Sequence, residues 1–330
     1  MKAVQIAETG GPEVLQYVDL PTPRPGPGEV LVKAHAIGVC MPEIYVRKGV
    51  YAWMPKLPVI PGIEMSGTVV EAGAGCTKLR VGQKVFVCAR EFEDRANCYA
   101  EYIKAPENLI YPVPDGVDLD QVAGLANYQV AWHLLNSALK GFQYDSTLIV
   151  AAAGGVGTGL VQLAKAYGKR VIGVTSSAER AAFARAQGAD AVIDRKHGDV
   201  VEQTLKLTNG RGVDLILDCV GGPHMTKLFD ALERFGMLLL YGRIEGAPAG
   251  NIHDAIQKAP WRSSAFRYFT MHTLDDWPEL RAKCTQDLLR LLAEGKLKVP
   301  IYDCIPLAEA PRAHQVFESG QVMGKLIMKP

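Results

Sequence analysis

The stretch "STLIVAAAGGVGTGLVQLAKAYG", residues 146–168, constrains the fold more than any other. An apolar, β-branched run ends in alanines, and a glycine-rich turn then opens a segment with helical apolar spacing. Glycine lets the backbone approach a phosphate closely, and a helix N-terminus adds free N–H groups and a partial positive charge. Against G-x-G-x-x-G the matching positions are Ala152, Gly154 and Gly157, so the first glycine is absent. Taken alone, the loop reads equally as a plain tight turn. Its setting argues for dinucleotide binding. After the helical segment 156–167, strand-like and helix-like runs alternate: "RVIGVT" then 178–187, "DAVIDR" then 200–207, "VDLILDCV" then 225–232, and finally "GMLLLYG". The strand runs are almost continuously apolar, as parallel strands covered on both faces must be. An α/β fold with a Rossmann doubly wound parallel sheet is expected.

The rest of the chain has another texture. Up to about residue 120, short β-like runs such as "EMSGTVVEAGAG", "GQKVFVCA" and "CYAEYIKAP" are separated by turns, with a Pro/Gly stretch near residue 25 where proline interrupts ladders. Helical spacing begins near Gln121, in "QVAGLANYQVAWHLLNSALK". After residue 270 a helix, "LRAKCTQDLLRLLAEG", leads into strand-like pieces that are expected to return to the first domain. The expected division is therefore 1–121 with 271–330 as a mostly-β domain, and 122–270 as the dinucleotide-binding domain. The chain's 330 residues suffice for two such domains.

Bulk properties remove other classes. A net charge of +1 provides no field for nucleic acid or an anionic membrane. No apolar run reaches the roughly 18 residues of a membrane-spanning helix. The opening "MKAVQIAETGG" is too short in its apolar part for a signal peptide and reads as an alternating first strand. Seven scattered cysteines without a C-x-x-C argue against a disulfide framework and for a reducing cytoplasm.

Cofactor choice is read at the end of the second strand, where an NAD site usually carries an acid for the ribose hydroxyls. Here "VIGVTSSAER" offers Thr175, Ser176 and Ser177, then Arg180 one helical turn on, while Arg195 closes the next strand. Two guanidinium groups and several hydroxyls without a carboxylate suit a 2′-phosphate, and so NADPH. Ser176 with Glu179 also fits a capping box, and Arg180 also fits a solvated helix surface.

These residues carry a resemblance. The blocks "GPEVL", "PRPGPGEVLVKAHAIGV", "PGIEMSGTVVEAGAG", "VGQKVF", "YAEY", "AAAGGVGTGLVQLAKAYG", "GVDLILDCVGG" and "GKLIM" resemble the medium-chain dehydrogenase/reductase superfamily over nearly the whole chain. Within it the chain resembles the zinc-independent quinone oxidoreductase, zeta-crystallin-like branch, whose A-x-x-G-G-x-G loop is similar to Ala151–Gly157. The resemblance implies a GroES-like mostly-β domain joined to the Rossmann domain, an active site in the cleft, and NADPH. The cofactor-binding set it implies is Ala153, Gly154, Gly155, Val156, Gly157, Thr175, Ser176, Arg180, Arg195, Val220, Gly242 and Lys325. Family members often carry a basic residue where Arg180 stands and a tyrosine where Arg195 stands.

The same resemblance bears on metal. Zinc alcohol dehydrogenases are similar at three places that supply catalytic ligands, and these align with Cys40, Ile63 and Ala126. One thiolate, one isoleucine and one alanine side chain cannot hold zinc. The four-cysteine structural loop is also missing, since residues 88–98 read "CAREFEDRANC". No metal is expected, and Cys40 is expected as a bystander facing the cleft. In "GVCMPEIYVRKGVY", Tyr45, Arg47, Gly49 and Tyr51 match the quinone reductase block, which makes Tyr45, Tyr51 and Arg47 the candidate catalytic residues. Packing within the domain is the alternative for Tyr45 and Arg47.

The expected activity is NADPH-dependent hydride transfer to quinones or activated enones. A 2-enoyl thioester (enoyl-CoA) reductase and a non-catalytic NADPH-binding protein are the rival readings. The strip "WRSSAFRYFTMHT" is expected to line a bulky, basic substrate pocket. The run "GMLLLYGRI" is expected as the last strand of the sheet, and its exposed edge as the seam of a homodimer.

Overall fold

The computed structural model describes all 330 residues, Met1–Pro330. The chain divides into two compact units, Met1–Gln129 with Arg281–Pro330, and Val130–Leu280. Both divisions lie beyond the positions expected from sequence, 121/122 and 270/271. They fall inside the continuous helices Leu125–Leu135 and Pro278–Ala293, where no turn residue marks a break.

The first unit opens with strands β1 (Lys2–Gln5), β2 (Gln16–Asp19), β3 (Glu29–Gly38), β4 (Glu64–Ala72), β5 (Lys84–Cys88), β6 (Tyr102–Pro106) and β7 (Ile110–Pro112). β1 and β2 form an antiparallel pair of their own. β3 is the hub: it pairs antiparallel with β4 along most of its length and with β6 over its first half. No strand forms across "PTPRPGPG", because proline has no N–H to give a ladder. The inner side chains of β3 and β4, with Ile6, Tyr99 and Ile103, make the unit's main core.

The second unit is a six-stranded sheet of β8 (Ser146–Val150), β9 (Arg170–Thr175), β10 (Ala191–Asp194), β11 (Val213–Asp218), β12 (Leu232–Leu240) and β13 (Ala265–Tyr268). The order β10-β9-β8-β11-β12-β13 is parallel throughout. It is the 3-2-1-4-5-6 arrangement of a dinucleotide-binding sheet. The helices Gly155–Ala166, Ala178–Ala186 and Val200–Leu207 stand where the apolar spacing predicts them. Residues 225–232 do not form the expected α-helix. Gly221 and Gly222, both at φ 65°, and Pro223 tighten the segment into 3₁₀ turns over Gly222–Ala231. β12 is not the last strand either. The strip expected to line a pocket instead adds β13 outside it, so the sheet edge is Ala265–Tyr268. The bases of that strip are already engaged: Arg262 donates to the carbonyls of Phe229 and Asp230, and Arg267 donates to that of Ala138.

The chain then returns to the first unit. β14 (Ile301–Pro306) pairs parallel with β15 (Lys325–Lys329), which pairs antiparallel with the end of β3. The first unit is thus discontinuous in sequence, as the tail predicted. No helix is long and apolar enough to cross a membrane.

Candidate functional site

In the second unit the carboxyl ends of the strands carry the site. β8 ends at Val150, and the turn that follows holds Ala151 at φ 57° in the left-handed region, where a side chain is strained. Gly154 caps the helix Gly155–Ala166. A Cβ on Gly157 would lie 2.2 Å from the Ala151 carbonyl oxygen, so only glycine permits this approach of helix to strand. Ala153, Gly154, Gly155, Val156 and Gly157 therefore lie together as a backbone cradle at a helix N-terminus. Thr158, just beyond, is fully buried and its Oγ1 has no partner.

A cavity of about 430 Å³ opens beside this cradle, lined at the strand ends by Val150, Val174, Arg195, Asp218 and Val220. β8 and β11 are adjacent strands whose connections run in opposite directions, which is the switch point where such sheets bind ligands. Thr175 closes β9 with an unpartnered Oγ1, 4% exposed, in place of an acid. Ser176 is half-buried. It is not the helix cap expected of it: Ser177 caps Ala178–Ala186 and accepts from the Arg180 N–H. Arg180 sits in that helix's first turn. Arg195 is ion-paired with Glu245 at 3.0 Å, with the two side chains 44% and 37% exposed. Asp218 accepts from the N–H groups of Val220 and Gly221, which stiffens the turn carrying Val220. Burial raises its carboxyl to about 6 despite those bonds. A Cβ on Gly242 would lie 2.6 Å from the Cys219 carbonyl oxygen, so this glycine lets the two strand-end turns touch.

Lys325 belongs to the other unit. It is the first residue of β15, in the first unit, and only 2% exposed. Its ammonium donates to Glu64, to Cys40 Sγ at 3.0 Å and to the Val39 carbonyl at 3.0 Å. Burial pushes the group toward neutrality, but Cys40 and Glu64 outweigh it and hold the charge above its ordinary range. With every donor turned inward, Lys325 is a structural cation; the cofactor role inferred from resemblance is corrected.

Cys40 is likewise buried. It is 3% exposed and packs in one buried cluster with Ile63 and Ala126. Its N–H donates to Glu43 Oε2, and it begins the helix Met41–Arg47. Its thiol donates to Glu64 Oε1 at 3.1 Å, and burial raises its pKa well above the usual range, with Lys325 opposing. Glu64 completes the network by accepting from the Ala126 N–H at 2.7 Å. Glu43, 1% exposed, also accepts from the Ile63 N–H, and burial lifts its carboxyl to about 7. Three positions distant in sequence thus meet in space and carry one sulfur, one sec-butyl group and one methyl group.

Of the candidate catalytic residues, Arg47 is corrected. It is 1% exposed and ion-paired with Glu318 at 2.5 Å, so it ties the first helix to the C-terminal helix Ala310–Glu318. Tyr45 is half-buried on the same helix. Tyr51 follows it in a loop, half-buried, with its ring 5.9 Å from that of the exposed Trp53. The sequence reading missed Arg90. It is 9% exposed, in the turn Ala89–Glu91, and its Nη1 has no partner. Its segment, "CAREFEDRANC", has mixed charge and reads as a surface loop, and only the register of β5 brings it inward.

The parallel sheet, the glycine cradle and the acid-free strand end define a nicotinamide-dinucleotide type of Rossmann unit, carried on a chain with a separate β unit. Residues 26–115 match the alcohol dehydrogenase GroES-like domain family, and residues 155–285 the zinc-binding dehydrogenase family. The chain is 33% identical to a quinone oxidoreductase of Pseudomonas aeruginosa over 335 residues, covering all of this chain and 99% of that one. It is 31% identical to a 2-haloacrylate reductase of a Burkholderia species, covering 99% and 98% of the two chains. Its fold superposes on the Escherichia coli quinone oxidoreductase complexed with NADPH with a TM-score of 0.88, at 27% identity and full coverage of both chains. The chain belongs to the medium-chain dehydrogenase/reductase superfamily, in its quinone oxidoreductase branch.

Proposed function

We propose that this protein is an NADPH-dependent oxidoreductase that passes hydride to quinones or activated enones without a metal. The observation that carries the metal-free reading is the buried cluster of Cys40, Ile63 and Ala126, which offers one donor atom where a catalytic zinc needs three protein ligands. The cofactor fits the residues present. The close approach of Gly157 to Ala151 seats the helix N-terminus at the end of β8, where its N–H groups would hold a pyrophosphate, and the Thr175 Oγ1 at the end of β9 is unpartnered. Bound NADPH would supply the hydride, with Arg180 and Arg195 holding its 2′-phosphate. Negative charge that develops on the acceptor oxygen needs a hydrogen-bond donor, and Tyr51 is assigned that role, with Tyr45 second. Quinones and enones are already electrophilic, so such donors suffice where a simple ketone would need a Lewis acid.

The test is NADPH oxidation with a panel of quinones and enones, in the presence and absence of a chelator. Turnover that survives chelation is expected. Turnover only with an enoyl thioester would replace this reading, and so would tight NADPH binding without turnover. We further propose a cytoplasmic homodimer. Seven unpaired thiols suit a reducing compartment. The open edge of β13, with Tyr268 56% exposed, suits pairing with its two-fold mate. Light scattering at micromolar concentration checks the dimer, and a monomer would refute it.

A further inference from the structure

Arg90 is a buried cation whose Nη1 the fold leaves without an acceptor. Its position is set by strand register. Cys88 lies opposite Glu64 across β4 and β5, and the Ala89 N–H donates to the Ile63 carbonyl at 2.7 Å. The next residue is thereby delivered beside the cluster of Cys40, Ile63 and Ala126, where its charge acts on Cys88, Cys40, Tyr51 and Glu64. A guanidinium does not lose its proton in proteins, so the charge must be balanced by something. Glu64 and Glu91 lie within its field, but neither closes on its Nη1. Glu64 accepts from Lys325, Cys40 and the Ala126 N–H. Glu91 accepts from the Tyr111 hydroxyl at 2.7 Å. Cys88 and Cys40 are neutral thiols near pH 7, since burial raises Cys88 to about 12 and Cys40 well above its usual range. Nη1 of Arg90 meets no acceptor. Arg47 in the same unit is sealed more deeply, 1% exposed, and meets Glu318 through Nη2 while its Nε and Nη1 lack acceptors; Arg90 differs in keeping 9% exposure beside the Cys40 cluster.

We propose that Arg90 is an anchoring residue for a carboxylate on the acceptor, and that the substrates include α,β-unsaturated oxo-acids. This rests on the reading above that the acceptor meets the first unit at Tyr51. A guanidinium holds a carboxylate through two parallel bonds, so one buried arginine both binds and orients a small planar acid. The chemistry balances simply. Hydride from the reduced nicotinamide forms a C–H bond at the alkene carbon β to the ketone. The π pair moves onto the ketone oxygen, a proton from water completes the saturated oxo-acid, and NADP⁺ is left. Arg90 holds the carboxylate throughout, and Tyr51 faces the oxygen that gains charge.

The experiment compares 4-oxopent-2-enoate with its methyl ester, which keeps the same enone and removes the charge. Wild-type protein is expected to favour the acid in kcat/KM. In Arg90→Met the acid-to-ester ratio should fall about thirtyfold or more, the loss typical of truncating one partner of a buried charge pair. Arg90→Lys should restore part of it. A wild-type ratio of one or below, or equal losses for acid and ester, overturns the proposal. If neither compound is reduced, turnover of the quinone panel shows whether the reductase reading stands, and calorimetry of 4-oxopentanoate against its methyl ester on the NADPH-loaded protein then decides Arg90. Binding that needs the carboxylate and weakens in Arg90→Lys upholds the anchor, and binding indifferent to both overturns it. The calorimetric arm on wild type and Arg90→Lys also serves if Arg90→Met does not fold.

Discussion

Replacing Lys325 with methionine tests whether the cluster around Cys40 is a structural unit. The side chains of Lys325 and Glu64 are 2% and 0% exposed, and their charges meet with no water between them. Methionine fills much of the lysine stem but leaves the Glu64 carboxylate with only the Ala126 N–H and the Cys40 thiol. Breaking a buried pair by removing one partner costs about 3–5 kcal/mol, because the remaining charge stays desolvated. For a unit of this size each kcal/mol moves Tm by roughly 2–4 °C, so a fall of about 10 °C is expected. The double variant Glu64→Gln/Lys325→Met removes both charges and keeps an amide that can still accept from Ala126. It should recover most of the loss, giving a coupling of about 2 kcal/mol or more in a double-mutant cycle. Urea and thermal unfolding of the four proteins by circular dichroism supply the numbers. Single variants within about 1 kcal/mol of wild type, or a double variant at the sum of the singles, would refute the reasoning. The same double variant separates structure from cofactor binding. NADPH affinity should stay within roughly threefold of wild type, and a tenfold loss at recovered stability would return Lys325 to the cofactor contacts.

Gly157→Ala should weaken NADPH binding and lower Tm together, since its Cβ meets backbone at 2.2 Å and the helix must back away from the cradle; unchanged binding by fluorescence titration would count against the cradle. Glu43 predicts a pH dependence. Its folded carboxyl titrates at about 7 against an ordinary value of 4.5, so its contribution is full below pH 4.5 and is lost as pH rises through 7. Glu43→Gln should therefore flatten the fall in unfolding free energy between pH 5 and 8 by about 2–3 kcal/mol. Burial holds His314 at about 3, which gives the opposite slope, stability lost as pH falls below 6.5, in wild type and variant alike. Glu245→Gln should release Arg195 and tighten NADPH by up to about fivefold, the scale of an exposed pair, with NADH affinity unmoved. Equal kinetic efficiency with NADPH and NADH in wild type would remove the 2′-phosphate role from both arginines. Tyr51→Phe should lower turnover while leaving NADPH affinity nearly intact, and unchanged turnover in Tyr51→Phe and Tyr45→Phe alike would leave these rings as lining only.

Local pattern determined the second unit. Apolar runs of strand length, helical spacing between them and a glycine turn at one junction are properties of neighbouring residues, and each element must satisfy them before the sheet assembles. The cradle Ala153–Gly157, the acid-free end of β9 and the return of the tail to the first unit were all legible in this way. The dyad of Lys325 and Glu64 was not. It joins residues from near 40, 64, 126 and 325, and sequence gives no sign that an ammonium at the head of a terminal strand is sealed from water. Arg47 and Arg90 show the same limit from opposite sides. Both look like ordinary bases in polar segments. Packing brings one onto Glu318 through its Nη2, while the register of β5 turns the other inward beside Glu64, and in each the Nη1 is left without an acceptor. The edge of the sheet also belongs to tertiary structure. β12 ends in the buried apolar run Met237–Leu240, whereas β13 is the four-residue mixed run AFRY, which carries little strand signal of its own, so only the parallel pairing shows that it is outermost. Periodicity fixes which face of an element is apolar. It carries no information on which distant charge that element will meet, because burial of a charge depends on the partner the fold delivers.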